Sequence, residues 1–183
     1  MDQETSFGKS VKEFVKFLLI ASAIALPIRY FIAQPFIVKG ASMVPTFENG
    51  QYLIVDEATY FLRQPARGEV IVFRYPLDQR QFFIKRIIGL PGETVEVKDG
   101  KVKIDLPNGR GEMVLDEPYL PKDLRTDGNT KVALGIEDYF VLGDNRSQSS
   151  DSRMWGVLPR SLITGRALIR AWPVSAAGIL VGH

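Results

Sequence analysis

Between residues 14 and 38 the chain is apolar almost throughout, with Lys16 and Arg29 as its only charged side chains. The uninterrupted part, residues 17–28, is shorter than the roughly 20 residues that a bilayer span requires. Taking Lys16 and Arg29 as snorkelling ends lengthens it enough to cross. A buried core helix fits less well, because the stretch is near the chain start and apolar on nearly every side. A cleaved secretory leader is the other reading, since Lys9, Lys12 and Lys16 precede an apolar run and an Ala-rich segment. No A-x-A site with a mature-looking start follows, and the segment runs through Arg29 and Tyr30 into Gln34-Pro35-Phe36. The pattern therefore predicts a retained transmembrane anchor over residues 14–34. Its leading lysines place residues 1–13 in the cytoplasm and residues 35–183 across the membrane.

Beyond the anchor the period changes. Short apolar or alternating runs, broken by Gly, Pro and Asp, cover residues 52–55, 69–73, 82–88, 94–98, 101–104, 139–142 and 167–170. Asp99-Gly100 between two alternating runs is a hairpin signal. Residues 107–133 are rich in Pro, Gly and charge and read as loops within a small insertion spanning about 94–135. Helical periodicity is scarce apart from a short turn at 159–163. The fold class expected is mainly β: an antiparallel catalytic domain with a small inserted β/loop subdomain, on a single N-terminal transmembrane helix.

Composition narrows the chemistry. A net charge of +2 with no run of five like charges gives no basic stripe for nucleic acid. The absence of cysteine removes disulfides, thiolate zinc sites and thiol catalysis. The one histidine, His183, is the last residue, a poor place for a triad base. A hydrolase built from this chain needs another base.

Three segments carry candidate chemistry. Gly40-Ala41-Ser42-Met43-Val44-Pro45-Thr46 is a turn-rich stretch just past the apolar run, and Ser42 in it is either a turn-capping hydroxyl or an exposed nucleophile. In residues 82–88, a strand places Phe83, Lys85 and Ile87 on one face and Ile84, Arg86 and Ile88 on the other. Lys85 then either snorkels to water or is buried, and burial lowers an amine's pKa until it can accept a serine proton. Arg86 stays charged and cannot be the base. In residues 143–156, Asp144 with Arg146 and Asp151 with Arg153 form candidate ion pairs that fix a loop. One serine of that loop is a candidate to hydrogen-bond the base and orient its lone pair. The competing readings are a solvated connection and a divalent-cation loop; the EF-hand pattern is absent, so no metal is assigned.

Taken in order, the sequence Ser42-Met43-Val44-Pro45-Thr46, the run from Lys85 through Gly89 to Pro91-Gly92-Glu93, and the run Gly143-Asp144-Asn145-Arg146 through Ser149, Asp151-Ser152-Arg153 and Trp155-Gly156 resemble type I signal peptidases. Arg67-Gly68-Glu69, Glu117-Pro118-Tyr119-Leu120 and Gly165-Arg166-Ala167 add smaller matches. The resemblance implies a Ser-Lys dyad protease, with Ser42 as nucleophile and Lys85 as general base and then general acid. It implies that Ser149 hydrogen-bonds Lys85, that Asp144, Arg146, Asp151 and Arg153 support the site, and that Met43 lines the substrate pocket. The family's oxyanion hole uses the nucleophile's backbone N–H. Some members add a hydroxyl two residues earlier, where this chain has Gly40.

The function expected is a membrane-bound endopeptidase that removes signal peptides from exported preproteins, acting from the plasma membrane without a cofactor. Its partners are signal peptides and the lipid bilayer. Ile37 and Val38 are expected to form an edge strand along which an extended substrate pairs, with Gly40 allowing close backbone approach. A self-cleaving repressor shares the dyad but lacks an anchor. A membrane-tethered peptide-binding module has no use for the three motifs together.

Overall fold

The alternating runs become two antiparallel sheets. A computed structural model describes residues 6–27 and 33–180, with the side chains of 8–23 and 34–180. The described residues begin with helix α1 (Ser6–Pro27), followed by strands β1 (Ala33–Ile37) and β2 (Tyr52–Asp56) and a one-turn helix α2 (Thr59–Leu62). Strands β3 (Val70–Tyr75) and β4 (Asp78–Gly89) form a long hairpin. Strands β5 (Thr94–Lys98), β6 (Lys101–Asp105), β7 (Glu112–Val114) and β8 (Thr130–Ala133) come next. Strand β9 (Asp138–Leu142), helix α3 (Ser152–Trp155) and strands β10 (Leu158–Pro159), β11 (Ile163–Trp172) and β12 (Gly178–Ile179) complete the order.

The larger sheet has eight strands in the order β1-β2-β11-β3-β4-β9-β10, with β12 also paired to β11. The smaller has four, in the order β7-β6-β5-β8, all drawn from residues 94–133. Three apolar clusters hold these layers. Ile71, Phe73, Ile87, Tyr139, Val141 and Leu158 pack on one side of the large sheet. Ile88, Phe140 and Leu142 meet Val95, Val97, Val102 and Ile104 of the small sheet. Val38, Met43, Phe47, Leu53 and Ala167 form the third, behind the Ser42 segment. Gly89 marks the tightest point, because a Cβ there would stand 2.8 Å from Leu134 Cδ1 and 3.0 Å from Phe140 Cβ. The slip of register between Ile87 and Gly89 lets the two sheets close at that point.

The mainly β architecture is as expected. Among the described residues no helix is long and apolar enough to cross a membrane. α1 starts earlier than residue 14, carries Lys9, Lys12 and Lys16 within it, and stops at Pro27. Residues 28–32 of the expected span lie outside the described residues. The α1 side chains Phe14, Phe17 and Leu19 are exposed. Two further differences have simple causes. β4 begins at Asp78 rather than 82, because the polar stretch Asp78-Gln79-Arg80-Gln81 is the exposed half of a hairpin and shows no apolar alternation. Strands β7 and β8 lie within the region read as loops, since both are short edge strands, β7 exposed throughout and β8 alternating between exposed and half-buried positions, too short to show an apolar run.

Candidate active site

Ser42 leaves the third cluster on a tight turn. Met43 on its C-terminal side is buried at 1% exposure and Phe47 N–H donates to Met43 C=O at 2.8 Å, which pins the turn from below. From above, Asn145 N–H donates to Ser42 C=O at 3.0 Å and Asn145 Nδ2 to Ala41 C=O at 3.1 Å. The serine is thus held between the core and the loop after β9. Its Oγ is 2.8 Å from Lys85 Nζ.

Lys85 comes from the inner half of β4, opposite Ile71 of β3, and is 3% exposed. Nζ also donates to Ile84 C=O at 2.9 Å and lies 5.2 Å from the centre of the Phe83 ring. Burial pulls the amine down to about 8, against the opposing carboxylates of Asp151 and Asp144. An amine in this state is neutral in a useful fraction near neutral pH and retains two N–H donors. One N–H to Ile84 C=O fixes the head group, and the lone pair can then face the hydroxyl.

The loop after β9 is built from ion pairs, arranged differently from the sequence expectation. Asp144, fully buried, accepts from Arg86 Nε at 2.9 Å and Nη2 at 2.6 Å, and from Thr46 Oγ1 at 2.5 Å. Arg86 Nη1 donates to Gly68 C=O at 2.8 Å. The expected partner, Arg146, instead makes a bidentate pair with Glu117 and donates to Thr126 and to Gly143 C=O. Arg86 is closer to Asp144 because it stands on the adjoining strand, paired directly with Leu142. The Asp151–Arg153 pair forms as expected, at 2.9 and 2.8 Å, and Asp151 also accepts Gly143 N–H at 3.1 Å.

Two residues sit elsewhere than the resemblance implies. Ser149 Oγ is buried and has no hydrogen-bond partner among the described residues. Its side chain packs against Gly143, where a Cβ would collide with Ser149 and with the Ser42 carbonyl. Met43 belongs to the core rather than to a pocket wall, since the turn directs it inward. Gly40 is exposed, at φ 87°, with its N–H donating to Asn49 Oδ1 at 2.9 Å. Thr46, Glu117, Tyr119 and Thr126 also belong to the site; the first three lie in runs that carry the resemblance, though no role attaches to them there, and only Thr126 has no signal in the sequence.

A groove of about 770 Å³ ends at the dyad. Residues 35–39 of and after β1 line one wall, and residues 80–85 of β4 the other. Phe36 and Phe82 meet across it edge to face at 5.4 Å. Among the described residues both walls offer unpaired backbone. β1 is the outer strand of its sheet, and β9 pairs with β4 only from Arg86 onward. Ile37 ends β1 on this edge, whereas Val38, expected beside it in the same edge strand, follows the strand with its side chain in the third cluster, its N–H donating to Gln51 C=O and its C=O accepting from Gly50 N–H. Among the described residues no group of three or more carboxylate or imidazole side chains is placed to hold a metal ion.

Comparison with known proteins points the same way. The family model for signal peptidase, peptidase S26, matches residues 11–172. The chain is 40% identical over 179 residues to a probable signal peptidase I-1 of Synechocystis sp., covering 93% of this chain and 87% of that protein. It is 41% identical over 178 residues to a signal peptidase I of Leptolyngbya laminosa, covering 92% and 83%. A crystal structure of a signal peptidase I from Enterococcus faecalis is 32% identical and superposes with a TM-score of 0.47, over 57% of this chain and 97% of that one. The chain belongs to the signal peptidase family, peptidase S26.

Proposed function

We propose that this protein is a serine endopeptidase that removes signal peptides from preproteins, with Ser42 as nucleophile and Lys85 as its general base. The 2.8 Å contact between Ser42 Oγ and a buried lysine amine carries this reading. Neutral Lys85 takes the hydroxyl proton as Oγ attacks the scissile carbonyl. The resulting ammonium then protonates the leaving amine, and the signal peptide stays behind as an ester on Ser42. Lys85, neutral again, deprotonates a water that attacks the ester and frees Ser42. The Ser42 N–H is the donor offered to the oxyanion, and Gly40 adds no side-chain donor. Asp144, Asp151, Arg146 and Arg153 hold the loop that braces Ser42, and none of them touches the reacting atoms. An extended substrate fills the groove by pairing with the free edges of β1 and β4.

The substrate arrives through the lipid bilayer, and the sheet register supports one orientation. Ala33 pairs with Asp56, Asp56 with Arg166, Arg166 with Ile71, and Ile71 with Lys85. Beyond this row β2 and β3 run the same way, to α2 and to the β3–β4 turn. There Phe61 is 79% exposed, Leu62 90% and Leu77 72%, a group of large apolar side chains facing outward. The chain leaves α1 and joins β1 at this same end. The proposed arrangement has α1 and the residues after it as a membrane anchor, residues 1–13 cytoplasmic, and the β domain on the outer face of the plasma membrane with this end at the lipid surface. Cleavage of a preprotein in detergent tests the reading: wild type cuts after a small-x-small sequence, and folded Ser42→Ala and Lys85→Ala do not. Cutting by Lys85→Ala would remove the lysine from the mechanism.

A further inference from the structure

The residues that support the dyad are themselves closed from outside by one segment, the connection between β7 and β8, residues 115–129. Three arginines brace the active-site loop, and this connection meets each of them. The centre of the Tyr119 ring lies 3.8 Å from the Arg86 guanidinium carbon. Glu117 chelates Arg146, and Thr126 Oγ1 accepts from the same guanidinium. The carbonyl of Asp127 accepts from Arg153 Nη1 at 2.9 Å. Tyr119 and Glu117 are also joined, the phenol donating to Glu117 Oε1 at 2.5 Å. Burial, reinforced by the Glu117 charge, pushes the phenol above its ordinary value, so it remains a donor.

From this segment the chain of contacts to the nucleophile is short. Tyr119 covers Arg86, Arg86 grips Asp144, and the next residue, Asn145, holds the Ser42 carbonyl. Glu117 holds Arg146, whose Nε donates to Gly143 C=O at 3.1 Å, at the point where the loop presses on Ser149 and Ser42. We propose that Glu117 and Tyr119 are positioning residues for the Ser42–Lys85 pair: the small sheet reaches back through them and sets how closely the Gly143–Arg146 loop lies on Ser42. A guanidinium stacked on an aromatic face and pinned bidentately has one orientation, whereas one covered by water has several. Loss of the stack frees Arg86 and Asp144 together, and with them the Asn145 clamp.

The proposal rests on the dyad reading, and its test separates the two. The full chain in detergent is compared as wild type, Tyr119→Leu, Tyr119→Phe and Glu117→Gln. The readouts are preprotein cleavage and, without turnover, the Lys85 amine titration followed by NMR of labelled lysine. Tyr119→Leu and Glu117→Gln are expected to lower kcat by about tenfold or more with KM within about twofold, because small misplacement of reacting atoms is costly in rate. In both variants the Lys85 titration is expected to move up, since a loosened loop admits water and weakens the burial that holds the amine down. Asp144 and Asp151 are the charges facing it, and both remain. Tyr119→Phe keeps the ring and is expected to stay within about threefold of wild type. An unchanged kcat and an unchanged titration in Glu117→Gln would overturn the proposal, even if Tyr119→Leu does not fold. So would a loss of kcat matched by a smaller fraction of acylatable Ser42 while the titration stays put, the mark of a purely structural role. A wild type that cleaves no preprotein would instead sink the dyad reading and leave the titration to judge the positioning role.

Discussion

An ammonium group enclosed by Phe83 and Ile84 loses its hydration, and the carboxylates of Asp151 and Asp144 compensate only in part. The base must be neutral to act, so kcat/KM should rise about tenfold per pH unit below the amine's titration and level off above it. With that titration at about 8, a profile flat from mildly basic to clearly acidic pH would exclude Lys85 as the base. Stability carries the same signature. The folded pKa lies below the ordinary 10.5, so the unfolded chain binds more protons between about 8 and 10.5. Lys85 therefore makes the fold more stable as pH rises through that window. Denaturation midpoints of wild type should climb there, and those of Lys85→Met should not. Gly143 offers a steric test at the same scale. A methyl group there meets the Ser149 side chain and the Ser42 carbonyl. Gly143→Ala should lose roughly a hundredfold in kcat and about 1–3 kcal/mol in stability. Wild-type kcat in this variant would mean that the loop can shift without displacing Ser42.

At the scale of elements, β4 is the strand on which everything converges. Its inner half carries Lys85 toward the groove and Arg86 toward Asp144, on opposite faces, so one strand serves both the base and the loop that braces the nucleophile. Both partners of the Arg86–Asp144 pair are nearly inaccessible. Asp144→Ala leaves a buried guanidinium uncompensated and should cost about 3–5 kcal/mol in chemical denaturation. A loss below about 1 kcal/mol would show that the pair is not what joins β4 to the loop after β9. This strand also shows what sequence can and cannot disclose. Alternation in residues 82–88 was enough to place Lys85 among apolar neighbours, and the Asp99-Gly100 hairpin was legible from its turn residues. The partner of Asp144 was not, because the nearest arginine in sequence, Arg146, is not the nearest in space. Met43 reads as a pocket residue only by analogy; the turn that buries it depends on contacts with Phe47 and Leu53. The outer half of β4 escaped notice for the opposite reason, since exposed strands need no apolar residues.

For the whole molecule, the register brings the chain's arrival from α1, the tip of the β3–β4 hairpin and α2 to one end of the large sheet, where Phe61, Leu62 and Leu77 face outward. The full chain should remain with membranes after carbonate extraction; release into the soluble fraction would remove the anchor from the proposal. Phe61→Ser with Leu62→Ser should weaken cleavage of a preprotein inserted in liposomes and leave cleavage of a short soluble peptide unchanged. Equal effects on both substrates would place these side chains in the fold rather than at the lipid.

The groove between β1 and β4 has a consequence for what such an enzyme recognises. Its walls present backbone donors and acceptors in the spacing of a sheet, and only a chain with its own backbone groups free can answer them. A helix has already spent those groups on itself. A hydrophobic leader that stays helical through its junction with the mature chain would thus pass the dyad uncut, however small its side chains there. Cleavage then reports where a helix ends as much as which residues follow it.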